Sequence, residues 1–147
     1  MFAKLLKILK VIWASPNSFL GMLCGVPAMP FGTRLQIREG CVEFHGGPVT
    51  AVLRRVPFGG SVAAMTLGHT ILGRSRRDLD RCRDHEQVHV RQYERWGPFF
   101  LPAYLGWSLV LWLQNKDAYL DNPFEVEAYT VADPQYPGTA EDHENLA

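Results

Sequence analysis

Ser75-Arg76-Arg77-Asp78-Leu79-Asp80-Arg81-Cys82-Arg83-Asp84-His85-Glu86-Gln87-Val88-His89-Val90-Arg91-Gln92-Tyr93-Glu94-Arg95 is the stretch on which the reading of this chain turns. Nothing breaks it before Gly97-Pro98, a strong helix stop. Ser75 is a good N-cap, and Asp78 three residues on completes a capping-box-like start. One helix is therefore predicted over about residues 76–95. Within it, His85 and His89 stand four residues apart, so both imidazoles leave the same face one turn from each other. That spacing lets the two rings hold one Zn²⁺ at about 2.0–2.1 Å each. Glu86 lies about a quarter-turn from His85, close enough to reach a water on the metal without binding the metal. There it can accept the water's proton and pass it to a leaving amine. A His-Glu-x-x-His pattern also arises by chance on ordinary exposed helices. What gives it weight is the predicted helix around it and the small sheet ahead of it.

Upstream of this helix the period changes to two. Arg34-Leu35-Gln36-Ile37-Arg38 alternates, Gly40 makes a turn, and Cys41-Val42-Glu43-Phe44 returns. Gly46-Gly47-Pro48 marks another turn. Residues 49–56 and 61–72 are read as two further strands, separated by Pro57-Phe58-Gly59-Gly60. The expected product is a small antiparallel meander with one face free to pack. At the N-terminus, Lys4, Lys7 and Lys10 recur among apolar residues, giving a short basic amphipathic helix over residues 2–13. It either packs on the domain with its lysines in water, or lies in a membrane interface as a peripheral association. Residues 15–32, rich in Pro, Gly and Met, are read as a connection with one short helix near residues 18–24.

Downstream, residues 99–113 are the most apolar stretch. They fall short of the ~20 residues a membrane span needs, and carry Pro102 and Gly106, so a buried core helix starting near Pro102 is expected. Asp121-Asn122-Pro123 opens a last helix, with Asn122 as cap and Pro123 at the first position, running to about Ala132. The acidic tail from Asp133 holds Pro134 and Pro137 and is read as disordered. Three segments follow: residues 1–32, an amphipathic helix and connection; 33–132, the domain carrying the motif; and 133–147, the tail.

Composition narrows the classes. The 147 residues are 47% hydrophobic and 12% aromatic, enough for one packed core, and 15 basic side chains balance 15 acidic ones. A nucleic-acid partner is not expected, because such surfaces show a clustered basic excess. Cys24, Cys41 and Cys82 are odd in number and widely spaced, so they form no disulfide framework. A reducing, cytoplasmic setting fits them, with membrane association as the second possibility. Cys82, one turn before His85, is read as a small buried hydrophobe.

A catalytic zinc needs a third protein ligand and one open position. The extended His-Glu-x-x-His-x-x-Gly-x-x-His pattern would supply it, but Gln92 and Arg95 occupy those places. The ligand must come from a later segment, and Asn122-Pro123-Phe124-Glu125-Val126-Glu127-Ala128-Tyr129 offers two carboxylates. Two residues apart on a helix, Glu125 and Glu127 face nearly opposite ways, so only one can reach a metal. Glu125 also stands where a capping-box glutamate belongs.

The Glu-x-x-Ala of this second helix, downstream of His85-Glu86-Gln87-Val88-His89, resembles the glutamate helix of the gluzincins, and the short chain is similar to their minimal members, the minigluzincins. The likeness covers about residues 75–131. It implies a zincin-like α+β domain: a small antiparallel sheet packed on the motif helix, then an apolar helix and the glutamate helix. It implies His85, His89 and Glu125 as Zn²⁺ ligands and Glu86 as general base and acid. The activity implied is zinc-dependent hydrolysis of a peptide or unfolded protein segment, whose backbone pairs with residues 63–72. Gluzincins often carry an Asp one residue after the Ala; here it is Tyr129. Candidates for the oxyanion stabiliser are Tyr93, Tyr104, Tyr119, Tyr129 and His69. The alternative is a membrane-associated zinc-binding or scaffolding protein whose metal is a structural staple.

Overall fold

The structure, a computed structural model, describes residues 2–56 and 62–132. In chain order these form α1 (Phe2–Gly25), β1 (Arg34–Arg38), β2 (Cys41–His45), α2 (Gly47–Leu53), β3 (Ala64–Leu67), β4 (Thr70–Gly73), α3 (Arg76–Trp96), α4 (Phe100–Leu113) and α5 (Pro123–Ala132). The class is α+β, with one four-stranded sheet in the order β1-β2-β4-β3. The turn expected at residues 57–60 and the tail 133–147 lie outside the described residues.

The sheet is mixed, which corrects the expected antiparallel meander. The β1–β2 and β3–β4 pairs are antiparallel, but β2 and β4 run parallel, with Phe44 opposite Leu72. Two misread segments account for this. Residues 47–53 form α2, not a strand: Pro48 sits in its first turn, and Val49 and Leu53, four apart, are its buried residues. That helical spacing outweighs the strand preference of Val49, Thr50 and Val52, a preference that depends on context. Residues 61–72, expected as one strand, hold the β3–β4 hairpin instead. Gly68, at φ +64, takes the first place of a two-residue turn with His69.

α3 forms as expected, with the Asp78 N–H donating to Ser75 Oγ at 3.1 Å. Its Leu79 and Val90 pack with Cys41, Ala64 and Ile71 of the sheet. A buried ion pair fixes its placement: Glu43 of β2, 1% exposed, accepts from Arg83 Nη2 at 3.1 Å and from Gln36 Nε2 at 2.6 Å. Losing Arg83 would leave that carboxylate buried and unpaired.

α1 is longer than the sequence suggested, because Pro16 lies inside it without ending it. Proline removes the N–H that would reach the carbonyl four residues back. Here the Ser15 hydroxyl donates to that carbonyl, Ile12 O, at 2.7 Å. The helix packs through Ala14, which is fully buried, and through Asn17, whose Nδ2 donates to Gly97 O at 3.0 Å. Gly97, at φ +57, lets the chain turn from α3 into α4; a Cβ there would run into the Trp13 indole.

α4 also departs from expectation. Of its 14 residues only Phe100, Ser108 and Leu111 are buried, so it is not a core helix. The nearly continuous helical segment Arg76–Leu113 is the one among the described residues long and apolar enough to cross a membrane by length and composition, and only 22% of its apolar window is buried.

Candidate metal centre

Three helices and one strand converge on His85 and His89. The two rings meet edge to face, with centroids 4.8 Å apart and Nε2 atoms 3.0 Å apart. Two imidazole nitrogens cannot hold their lone pairs against each other at that distance without a proton or a cation between them. α5, capped by Asn122 Oδ1 accepting from the Phe124 N–H at 3.1 Å, brings Glu125 onto this pair. Glu125 Oε2 lies 3.1 Å from His85 Nε2, and Oε1 lies 3.4 Å from His89 Nε2. Tyr104 of α4 donates to Glu125 Oε1 at 2.7 Å.

His85, His89 and Glu125 could therefore hold one metal ion. Donors bonded to one tetrahedral ion at about 2.0–2.1 Å stand about 3.3 Å from each other. Here the two histidine nitrogens are 3.0 Å apart and each meets a different Glu125 oxygen, at 3.1 and 3.4 Å. One donor atom from each residue lies within 4.8 Å of the others. Glu125 Oε2 is buried without a hydrogen-bond partner, its approach to His85 being close but not aligned. An acceptor left so is what an ion would satisfy. The structure brings Glu125, not Glu127, to the histidines. Glu127 accepts from Gln92 Nε2 at 2.9 Å and from Arg95 Nη2 at 3.1 Å instead.

Gln92, weighed in the sequence only as the absent glycine of a longer pattern, has its own task. It is fully buried, and its Nε2 donates to Phe124 O as well as to Glu127, both at 2.9 Å. With both amide hydrogens used there, its Oε1, 2.8 Å from His89 Nδ1, must accept. His89 thus carries its proton on Nδ1 and turns Nε2 toward the cluster, the arrangement a metal-binding histidine needs. The i, i+3 spacing from His89 was the available signal. Thr66 of β3 was also missed; its hydroxyl donates to Glu86 Oε2 at 2.6 Å. Nothing local in the sequence links the two.

The electrostatics follow from burial. Burial alone would lower the His89 pKa, but the Glu125 carboxylate, with Glu86 and Gln92 behind it, outweighs that and raises it to about 9. Burial likewise opposes the charge on Glu125, yet the His89 and His85 rings hold it well below the usual carboxylate range. Burial and the neighbouring Glu125 charge push the Tyr104 phenol far up, so it remains a donor. Without metal, a protonated His89 takes the place of the cation.

The other candidate residues separate. Tyr93 is core, packed on Phe100 at 4.3 Å between centroids. Tyr129 covers His85 at 4.3 Å, and its hydroxyl is 3.3 Å from that of Tyr119. His69 stands in the hairpin turn with Nε2 3.2 Å from Glu94 Oε1, away from the cluster. Of the five, Tyr104 is the one seen to donate to a candidate ligand, Glu125. A cleft of about 140 Å³ opens on His85, Glu86, His89 and Glu125, walled by β3 and by Leu101 and Leu105 of α4. β3 ends the sheet among the described residues.

No family model, no curated protein and no solved structure matches this chain.

Proposed function

We propose that the chain is a zinc-dependent peptidase of the gluzincin kind, with a minimal zincin-like fold. The observation that carries this is the meeting of two imidazole nitrogens and one carboxylate at 3.0–3.4 Å beside Glu86, at the end of a cleft walled by an edge strand. His85, His89 and Glu125 would hold the ion, and Zn²⁺ suits a set of two nitrogens and one oxygen. When bound, zinc supplies a Lewis acid and a water of pKa ≈ 7. Glu86, positioned by the Thr66 hydroxyl, takes the attacking water's proton and returns it to the leaving amine. Gln92 holds the His89 tautomer, a task the family often gives to the Asp that Tyr129 replaces here. The outer edge of β3, unpaired among the described residues, would align an extended peptide by strand pairing. Tyr104 is the candidate oxyanion donor once its single O–H turns from Glu125 to the substrate.

Metal analysis of the purified protein tests the centre. Near-stoichiometric zinc is expected in wild type and loss is expected in both His89→Ala and Glu125→Ala. Hydrolysis of unfolded casein tests the chemistry: Glu86→Gln should keep its zinc and lose on the order of 10²–10⁴ in rate. Zinc in wild type with no turnover would instead favour the structural-staple alternative. Absence of zinc after loading would sink both.

A further inference from the structure

We infer that α1 and α4 together form a docking surface for a lipid bilayer bearing anionic headgroups. α1 buries one side from Ala14 onward, while residues 4–13 are exposed all round. Ala14 and Asn17 face the domain, while Leu5, Ile8, Leu9, Ile12, Phe19 and Leu23 are each more than half exposed. Those six recur at helical spacing, so they make one outward stripe. Lys7 and Lys10 precede Ala14 and Asn17 by seven residues and so share their rows, on the side of the helix away from the stripe, while Lys4 stands nearer its edge. Lys10 Nζ accordingly reaches back to Glu94 at 3.4 Å.

α4 carries no charged residue, and Leu109, Trp112 and Leu113 are 55%, 61% and 66% exposed. The two helices join where Trp13 meets Phe99, ring centroids 6.1 Å apart, both rings exposed. Exposed apolar side chains clustered in this way on each helix mark an interaction site.

Charge chooses the partner. Neither α1 nor α4 contains an acidic residue, and α1 adds Lys4, Lys7 and Lys10. An isologous pairing of two copies through α1 would bring together two helices of net positive charge with no acid in either helix to offset it. An anionic bilayer takes both features: the stripe enters the acyl boundary, Lys4 near its edge reaches the headgroups, and Lys7 behind it adds longer-range attraction. Trp13, Trp107 and Trp112 suit that depth. Fourteen residues of α4 reach about 21 Å against ~30 Å of hydrocarbon, so this helix lies in the interface and does not cross it. Leu101 and Leu105 sit on the same helix and wall the cleft, which places the cleft at the bilayer surface. The inference stands apart from the peptidase reading, since a chain that binds no metal would dock in the same way.

The test is co-sedimentation of the full chain with vesicles of phosphatidylcholine alone, or of phosphatidylcholine and phosphatidylglycerol in equal parts. Binding is expected to the mixed vesicles, weaker to phosphatidylcholine alone and in high salt, with a blue shift of tryptophan emission. Lys4→Ala should weaken binding to the mixed vesicles roughly fivefold and Lys7→Ala by less, and Trp112→Ser should weaken it on both kinds, with circular dichroism confirming that the variants fold. Failure to sediment with either vesicle overturns the inference. So does a stable dimer by ultracentrifugation that lipid does not dissociate, which would make this face an interface between copies.

Discussion

α3 and α4 follow each other with a single turn between them, yet they break opposite rules. α3 buries Glu86, His89 and Gln92, polar groups that belong in water, while α4 exposes Leu109, Trp112 and Leu113, apolar groups that belong out of it. The first is tolerable because the buried groups are paired: Glu86 with Thr66, Gln92 with three partners, His89 with Gln92 and Glu125. The second has no compensation within the described chain. Buried polarity that is satisfied points inward to a site; exposed apolarity that is contiguous points outward to a partner.

The sharpest way to break the contrast is at its joint. Phe100 is the residue of α4 most firmly tied to the core, 3% exposed with its ring 4.9 Å from Phe124 and 4.3 Å from Tyr93. Phe100→Ala should cost about 3–5 kcal/mol in urea unfolding. A cost below ~1 kcal/mol would mean that α4 is not anchored there. Next comes Gln92→Leu, which keeps the bulk and removes three hydrogen bonds. Leaving His89 Nδ1, Phe124 O and Glu127 without their partner should cost about 1–3 kcal/mol, and loss of the His89 orienter should weaken zinc binding about 10–100-fold. Wild-type zinc affinity in this variant would show that the tautomer is set elsewhere.

The buried pair also has a pH signature in metal-free protein. His89 rises from an ordinary 6.5 to about 9, so its stabilisation is complete below about 6.5 and lost as pH rises through about 9. Glu125 is shifted down from an ordinary 4.5, so its contribution is present above that value and lost as pH falls through its lower folded pKa. Stability should therefore be level between about pH 4.5 and 6.5 and then fall by roughly 2 kcal/mol toward pH 9. Saturating zinc should abolish the decline, because ligation needs the neutral ring. Denaturation of chelated protein at both ends of that range decides it; stability rising with pH would contradict the pairing.

Legibility followed the range of the signals. α3 and α5 could be read because Ser75, Asn122, Pro123 and the His85–His89 spacing act within a turn or two of where they stand. Glu125 was singled out by a four-residue pattern, and the fold brings it to both histidines. Gln92 and Thr66 were missed because their partners arrive from α5 and α3 through tertiary packing. The parallel β2–β4 pairing was hidden by β-branched residues in α2 and by a glycine turn inside an apparent single strand. The expected α1 stops at residue 13, ahead of a stretch rich in Pro, Gly and Met, because the rescue of Ile12 O by Ser15 is not a compositional signal. The exposure of α4 was illegible for another reason: apolar composition says that a surface wants covering, but not what covers it.

That last point yields the smallest expected effect. Leu109 is 55% exposed, so in lipid-free solution Leu109→Ser removes a side chain from water on one side only and creates no cavity. The unfolding free energy should move by no more than about 0.5 kcal/mol, as for surface sites generally, beside the several kcal/mol expected nine residues earlier on the same helix. Serine's lower helix propensity accounts for a few tenths of that. A loss as large as that of Phe100→Ala would mean that the outer face of α4 is already covered in solution, and the partner would then be protein, not lipid. A near-silent substitution in water that nonetheless weakens vesicle binding separates the two roles of the helix, one side holding the fold and the other meeting the bilayer.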